Sequence, residues 1–203
     1  MQLHADHAGD GDRALSLYDR DLTAVPDWVW QRTGLESLNL SQNRIAAVPE
    51  RIGELAGLRM LDLGHNRLPE LPAALHRLGR LEYLYVGANP LRDLPAAALA
   101  GLAGLRHLSV AGAGLQALPD AIGGLAGLVE LSLRANAVRA LPESMRDLVA
   151  LRSLDLRSNG LEALPAWLAQ LPALERLDLR WNRLAGSDPV AAAVAARGGR
   201  VLL

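Results

Sequence analysis

Leucines and their aliphatic substitutes return along the chain at fixed offsets. Between Leu151 and Ala173 they stand at Leu151, Leu154, Leu156, Leu161, Leu164, Leu168 and Leu171, with Asn159 and Pro165 at set places among them; Leu174 then restarts the pattern. Full units begin at Leu35, Leu58, Leu81, Leu105, Leu128, Leu151 and Leu174, in steps of 23, 23, 24, 23, 23 and 23 residues. A fixed period of this length marks a stacked-repeat architecture, in which no unit can bury its apolar face alone. Within a unit, Leu-x-Leu has the period of two that predicts a short strand, both leucines inward and the residues around them outward. The following asparagine stands where the chain must turn away, and its amide can satisfy turn backbone groups left unpaired. Leu-Pro ends regular pairing, and Ile/Leu-x-x-Leu predicts a short helical or extended segment on the far side. The extra residue of the 24-residue unit falls within Leu94-Pro95-Ala96-Ala97-Ala98-Leu99, outside the strand, so strand registers stay aligned.

The ends depart from the pattern. Residues 1–12 are polar, and their His4, Asp6, His7, Asp10 and Asp12 read as a flexible terminus before a metal site. The first unit keeps Leu15, Leu17, Leu22, Val25 and Val29 but has Arg20 where asparagine is expected; Trp28 and Trp30 are expected to cover the open end of the core. The last unit breaks after Leu184. Asp188-Pro189 reads as an N-cap with proline at N1 and Gly198-Gly199 as a stop, predicting a capping helix over Val190 to Arg197 and a final strand within 200–203. The expected organisation is a terminal segment 1–12, eight repeats over 13–187 with the first and last degenerate, and a cap over 188–203.

The residues Leu35, Leu38, Leu40, Asn43 and Ile45, with their six later equivalents, resemble the leucine-rich repeat family, whose pattern is Leu-x-x-Leu-x-Leu-x-x-Asn-x-Leu. The Leu-Pro tail is similar to the 23-residue subtype of intracellular Ras-associated, plant and many bacterial members. Ala113 replaces one asparagine. The resemblance implies an α/β solenoid, a curved right-handed coil with a parallel sheet on the concave face and short helical or extended segments on the convex one. It also implies a non-catalytic scaffold that binds a protein or peptide on the concave face. Regular spacing gives the asparagines a structural role.

Composition narrows the function further. The chain has no cysteine, so disulfides, thiolate metal sites and cysteine nucleophiles are excluded, and a cytoplasmic, reducing location is expected. No stretch is long and apolar enough to span a membrane, and the first residues lack the pattern of a secretory leader. A net charge of −1 argues against a general nucleic-acid binder. All 21 basic residues are arginine, which reads as the bias of a GC-rich genome, with escape from lysine-directed modification in a host-directed effector as the sharper reading.

Outward strand positions form columns across the sheet, which eight strands about 4.8 Å apart would extend over about 34 Å. Two neighbourhoods stand out. The central one holds Met60, His65, Tyr83, Tyr85 and His107, with Gly64, Gly87, Ala111 and Gly112 expected to leave an open depression beside them; tyrosine and histidine make good binding anchors. The second holds Arg134, Arg157 and Arg180 in one column, Asp155 and Asp178 in the next, and Trp181 at the rim. It reads as a solvated salt-bridge ladder or as a patch recognising a carboxylate or phosphate. Self-association through the sheet face or a solenoid end, as a homodimer, is a second functional reading, and small-molecule or sugar binding in the Tyr/His hollow a third. No cofactor is expected. A hydrolase is disfavoured, since Asp155 lies two strands from Ser109 and farther from His107, and His65 and His107 lie too far apart for one metal.

Overall fold

The computed structural model describes residues 13–184 and 188–203; the polar segment 1–12, with its metal reading, and residues 185–187 lie outside the described residues. Among the described residues, nine three-residue strands form one parallel sheet in strict sequence order. They are β1 (Ala14–Ser16), β2 (Ser37–Asn39), β3 (Met60–Asp62), β4 (Tyr83–Tyr85), β5 (His107–Ser109), β6 (Glu130–Ser132), β7 (Ser153–Asp155), β8 (Arg176–Asp178) and β9 (Arg200–Leu202). Registers carry the repeat unchanged: Met60 pairs with Tyr83, Tyr83 with His107, and His107 with Glu130. The sheet is open, the architecture that the leucine-rich repeat resemblance implies.

Each unit returns through a single helical turn that starts after a proline. Pro26, Pro49, Pro72, Pro119, Pro142 and Pro165 precede 3-10 turns, at Asp27–Gln31, Glu50–Glu54, Ala73–Arg77, Asp120–Gly124, Glu143–Asp147 and Ala166–Gln170. Proline suits this place because its fixed φ leads into a helical turn whose first amides lack partners anyway. The 24-residue unit differs. Its extra residue turns the segment into α1 (Ala96–Leu99), while β4 and β5 keep their register. The coils pack closely there: a Cβ on Gly101 would overlap the His76 carbonyl oxygen.

The leucines fill one continuous core between sheet and helical turns. Of the two N-terminal tryptophans only Trp30 joins it, beside Val25 and Val29. Trp28 stays exposed with the Arg32 guanidinium 5.3 Å from its ring centroid, because on a 3-10 turn the two positions point to different sides. At the other end α2 (Pro189–Ala196) packs Ala191 and Val194 against the core. Asp188 caps it by accepting from the Val190 and Ala191 amides at 2.8 and 3.1 Å. β9 then adds to β8.

What ties coil to coil is the asparagine. Asn66 donates through Nδ2 to the carbonyls of Leu63 in its own coil and Leu40 in the preceding one, at 3.0 Å each. Its Oδ1 accepts from the Ile45 amide at 3.0 Å. Asn89, Asn136, Asn159 and Asn182 repeat this arrangement. Ala113 cannot, so the Leu91 amide turns to the Asn89 carbonyl at 2.8 Å instead. The residue before the asparagine takes a left-handed conformation in each unit: Gln42, His65, Ala88, Ala135, Ser158 and Trp181 have φ of 52 to 60°, and Gly112 precedes Ala113 with φ 66°.

Just before the strands runs a column of alternating charge, with Arg13–Glu36, Arg59–Glu82 and Arg152–Glu175 pairs at 2.6, 2.7 and 3.4 Å. Such exposed pairs contribute little stability each.

Asn66→Ala is expected to lower unfolding free energy by at least about 2 kcal/mol, since it orphans buried carbonyls and an amide. Ala113→Asn is expected to raise it by about 1 kcal/mol by restoring the missing bonds. Urea denaturation of the two variants tests both.

Candidate functional site

On the concave face the strand-end positions stand side by side. Along the first column, Met60, Tyr83, His107 and Glu130 are consecutive in register. The rings of Tyr83 and His107 stack, centroids 4.5 Å apart and planes within 9°. His107 Nδ1 then meets Glu130 Oε2 at 3.3 Å. Met60 reaches the other way, its sulfur 4.0 Å from the Ser37 hydroxyl. Tyr83 is therefore part of a packed ladder, half-buried, whereas Tyr85 in the next column is 36% exposed.

The depression does not lie where the glycines are. A Cβ on Gly87 would come within 2.5 Å of the Ala111 carbonyl oxygen, so that glycine serves close approach of neighbouring coils and opens no space. The hollow lies farther along, over β5 to β8, with a volume of about 330 Å³. Tyr85 and His107 form one wall, Asp155, Arg157 and Arg176 the other, and Ser109, Ser132 and Ser153 the floor between them. Short serine side chains between long ones on both sides make the concavity. That alternation is visible in the sequence columns, but only when sizes are compared across strands, and the two neighbourhoods chosen for their chemistry leave out Ser132, Ser153, Glu130 and Arg176.

The hollow thus joins parts of both sequence-defined neighbourhoods. It brings together Tyr85, His107, Asp155 and Arg157. Met60 and Tyr83 lie beside it, and His65 sits exposed on its turn with φ 54°. Of the arginine column, Arg157 binds Asp155 through Nε and Nη2 at 2.9 and 2.6 Å and comes within 3.4 Å of Asp178. Arg180 binds Asp178 in the same two-point way at 2.9 and 2.7 Å. The ladder is therefore not fully solvated: the Asp178 side chain is 1% exposed, covered by both guanidiniums and flanked by Leu202 of β9. Burial by itself would raise the Asp178 carboxyl; bonds from the Arg180 side chain and amide, with the charge of Arg157, outweigh it and hold the group below the usual carboxylate value. Arg134 and Arg176 have no carboxylate within ion-pair distance among the described residues. Trp181 is 69% exposed although its φ is 60°, with the Arg180 guanidinium 5.3 Å from its ring centroid. Left-handed backbone costs a non-glycine residue about 1 kcal/mol or more.

At the Tyr85 end, burial first and then the neighbouring Tyr83, Asp62 and Glu130 push the phenol up, so it stays protonated. The polar contact of His107 is to Glu130, and among the described residues no hydrogen bond joins it to Ser109 or Ser132. No helix among them is long and apolar enough to cross a membrane.

A family model described as leucine rich repeat matches four overlapping stretches, residues 33–91, 79–138, 104–161 and 138–184. The chain belongs to the leucine-rich repeat family. Its members are generally non-catalytic scaffolds, typically binding proteins. No curated protein matches the chain. Among solved structures, a leucine-rich repeat protein of Leptospira interrogans is similar at 28% identity and a TM-score of 0.84, over 93% of this chain and 53% of that one. A TLR13–ssRNA13 complex is similar at 30% identity and a TM-score of 0.77, over 86% of this chain and 26% of that one. The ectodomain of the plant membrane receptor kinase GASSHO1/SCHENGEN3 from Arabidopsis thaliana, in complex with CASPARIAN STRIP INTEGRITY FACTOR 2, is similar at 27% identity and a TM-score of 0.70, over 88% and 22%. The chain spans about half the length of the Leptospira protein and about a quarter of the other two.

Because the Asp178 pKa is lowered on folding, its contribution is present above the unfolded value of about 3.9 and is lost as pH falls through the folded value. Asp178→Asn is expected to cost about 1–3 kcal/mol at neutral pH and to flatten the stability loss below about pH 4. Chemical denaturation at several pH values measures both.

Proposed function

We propose that this chain is a non-catalytic scaffold that holds a segment of another protein on its concave face, seated in the hollow between Tyr85 and Arg176. The hollow itself carries the reading. It offers an aromatic wall, a guanidinium wall and a floor of hydroxyls, the mixture of apolar body and polar tips that favours binding a polypeptide. Two similar repeat domains were solved with a macromolecular ligand, one with ssRNA13 and one with CASPARIAN STRIP INTEGRITY FACTOR 2, which supports ligand binding by this one. The paired state of Arg157 and Arg180 favours a structural role for most of that column and leaves recognition to Arg176 beside it. The strand registers, stepping by 23 residues except for 24-residue steps from β4 to β5 and from β8 to β9, support the short-repeat subtype, and we read α2 and β9 as the cap that closes its core.

A displayed library of natural protein fragments, selected against the full chain, tests the proposal. Tyr85→Ala and Arg176→Ala are each expected to weaken the selected binders at least about tenfold, roughly 1.4 kcal/mol, with the unfolding midpoint unchanged because both side chains are exposed. Arg51→Ala, on the convex side, is expected to change nothing. Binders indifferent to both concave substitutions, or a single-stranded RNA oligonucleotide that displaces them from the same face, would overturn the reading.

A further inference from the structure

The two walls of the hollow differ in sign. At one end stand Tyr85 of β4 and Glu130 of β6, with Asp62 of β3 next in register to Tyr85; among the described residues no arginine lies within ion-pair distance of either carboxylate. Glu130 meets His107 through Oε2 alone; Oε1 has no hydrogen-bond partner among the described residues, and the side chain is 60% exposed. At the β8 end Arg176 lies next in register to Arg200, and neither has a carboxylate within ion-pair distance among the described residues. Asp155 and Asp178 do not change this, since Arg157 and Arg180 already neutralise them.

We infer that the segment bound here is extended and carries a basic and an acidic side chain four residues apart, the basic one over Tyr85 and Glu130 and the acidic one over Arg176. This rests on the proposed function and adds the chemistry of its ligand. A cation is attracted by the tyrosine face and by the Glu130 carboxylate together. A carboxylate suits the unpaired guanidinium of Arg176, which can hold it through two parallel bonds. The spacing follows from the sheet. The negative wall centres on β5 and Arg176 lies on β8, three strand spacings or about 14 Å away; four residues of extended chain span about 13 Å, and an even separation turns both side chains to the same face. The serine floor lets the intervening side chain settle between them. A hollow of about 330 Å³ takes a few side chains but not a helix of about 10–12 Å diameter.

A phage-displayed random dodecapeptide library, panned against the full chain, reads the inference directly. Peptides enriched on the unaltered chain are expected to carry Lys or Arg and Asp or Glu four positions apart, in either order along the peptide. Panning against Arg176→Glu is expected to enrich two basic residues at that spacing, and against Glu130→Arg two acidic ones. Each variant is expected to bind the original peptides at least about tenfold more weakly, and both sites are exposed, so an unchanged melting curve checks folding. Peptides that need Tyr85 yet lack the charge pair, or carry it at an odd separation such as three or five, which an extended chain turns to opposite faces, would overturn this inference and leave the proposed function standing. Absence of any peptide sensitive to Tyr85→Ala or Arg176→Ala would overturn both.

Discussion

Everything in this molecule depends on a side-chain amide doing the work of backbone. A leucine-rich coil can stack on its neighbour through three-residue strands, but the turn after each strand points carbonyls and an amide into the interior. Water cannot reach them, and each buried polar group left unpaired costs about 1–3 kcal/mol. Asn66 and its counterparts answer this by donating to carbonyls of two successive coils and accepting from an amide of the earlier one. The asparagine is therefore the fastener between repeats, and the sheet on one side and the prolyl turns on the other are hung from it. The exception is instructive. Where Ala113 replaces asparagine, two glycines, Gly112 and Gly114, take left-handed conformations around it, and a neighbouring amide finds a local carbonyl.

This division of labour explains what could be read in advance. The solenoid, its step, the strand columns and the closing helix were legible because each rests on periodicity and on cap chemistry, which act locally. Tyr83, Tyr85, His107 and the Arg–Asp columns could also be placed on one face from the period of two alone. The shape of that face could not. Glycine was expected to make the depression, yet Gly87 is held by contact with Ala111, and the concavity comes from serines of three successive coils standing between longer side chains. Asp178 was expected in solvent, but two guanidiniums close over it, and which of two adjacent arginines folds inward is decided by packing rather than by spacing. Trp28 and Trp30 parted for the same kind of reason.

A consequence for the candidate site is that its charges fall into two kinds. Arg157, Arg180, Asp155 and Asp178 satisfy one another through two-point bonds and stiffen the sheet. Arg176 and Glu130, on strands two apart, are left to face outward on opposite sides of a polar floor. A rigid, self-satisfied frame beside a few uncommitted groups is a favourable basis for recognition, since little side-chain ordering remains to oppose binding.

The single longer repeat shows that the two faces keep separate measure of the chain. Its extra residue became α1 on the convex side, with Ala96 and Ala97 exposed, while β4 and β5 pair in the same register as every other strand. The fold in effect has a tolerant edge and an intolerant one. For anyone wishing to tether this protein, to attach a dye or to splice in a reporter peptide, the Ala96-Ala97 turn is where length has already been absorbed once without disturbing the columns opposite.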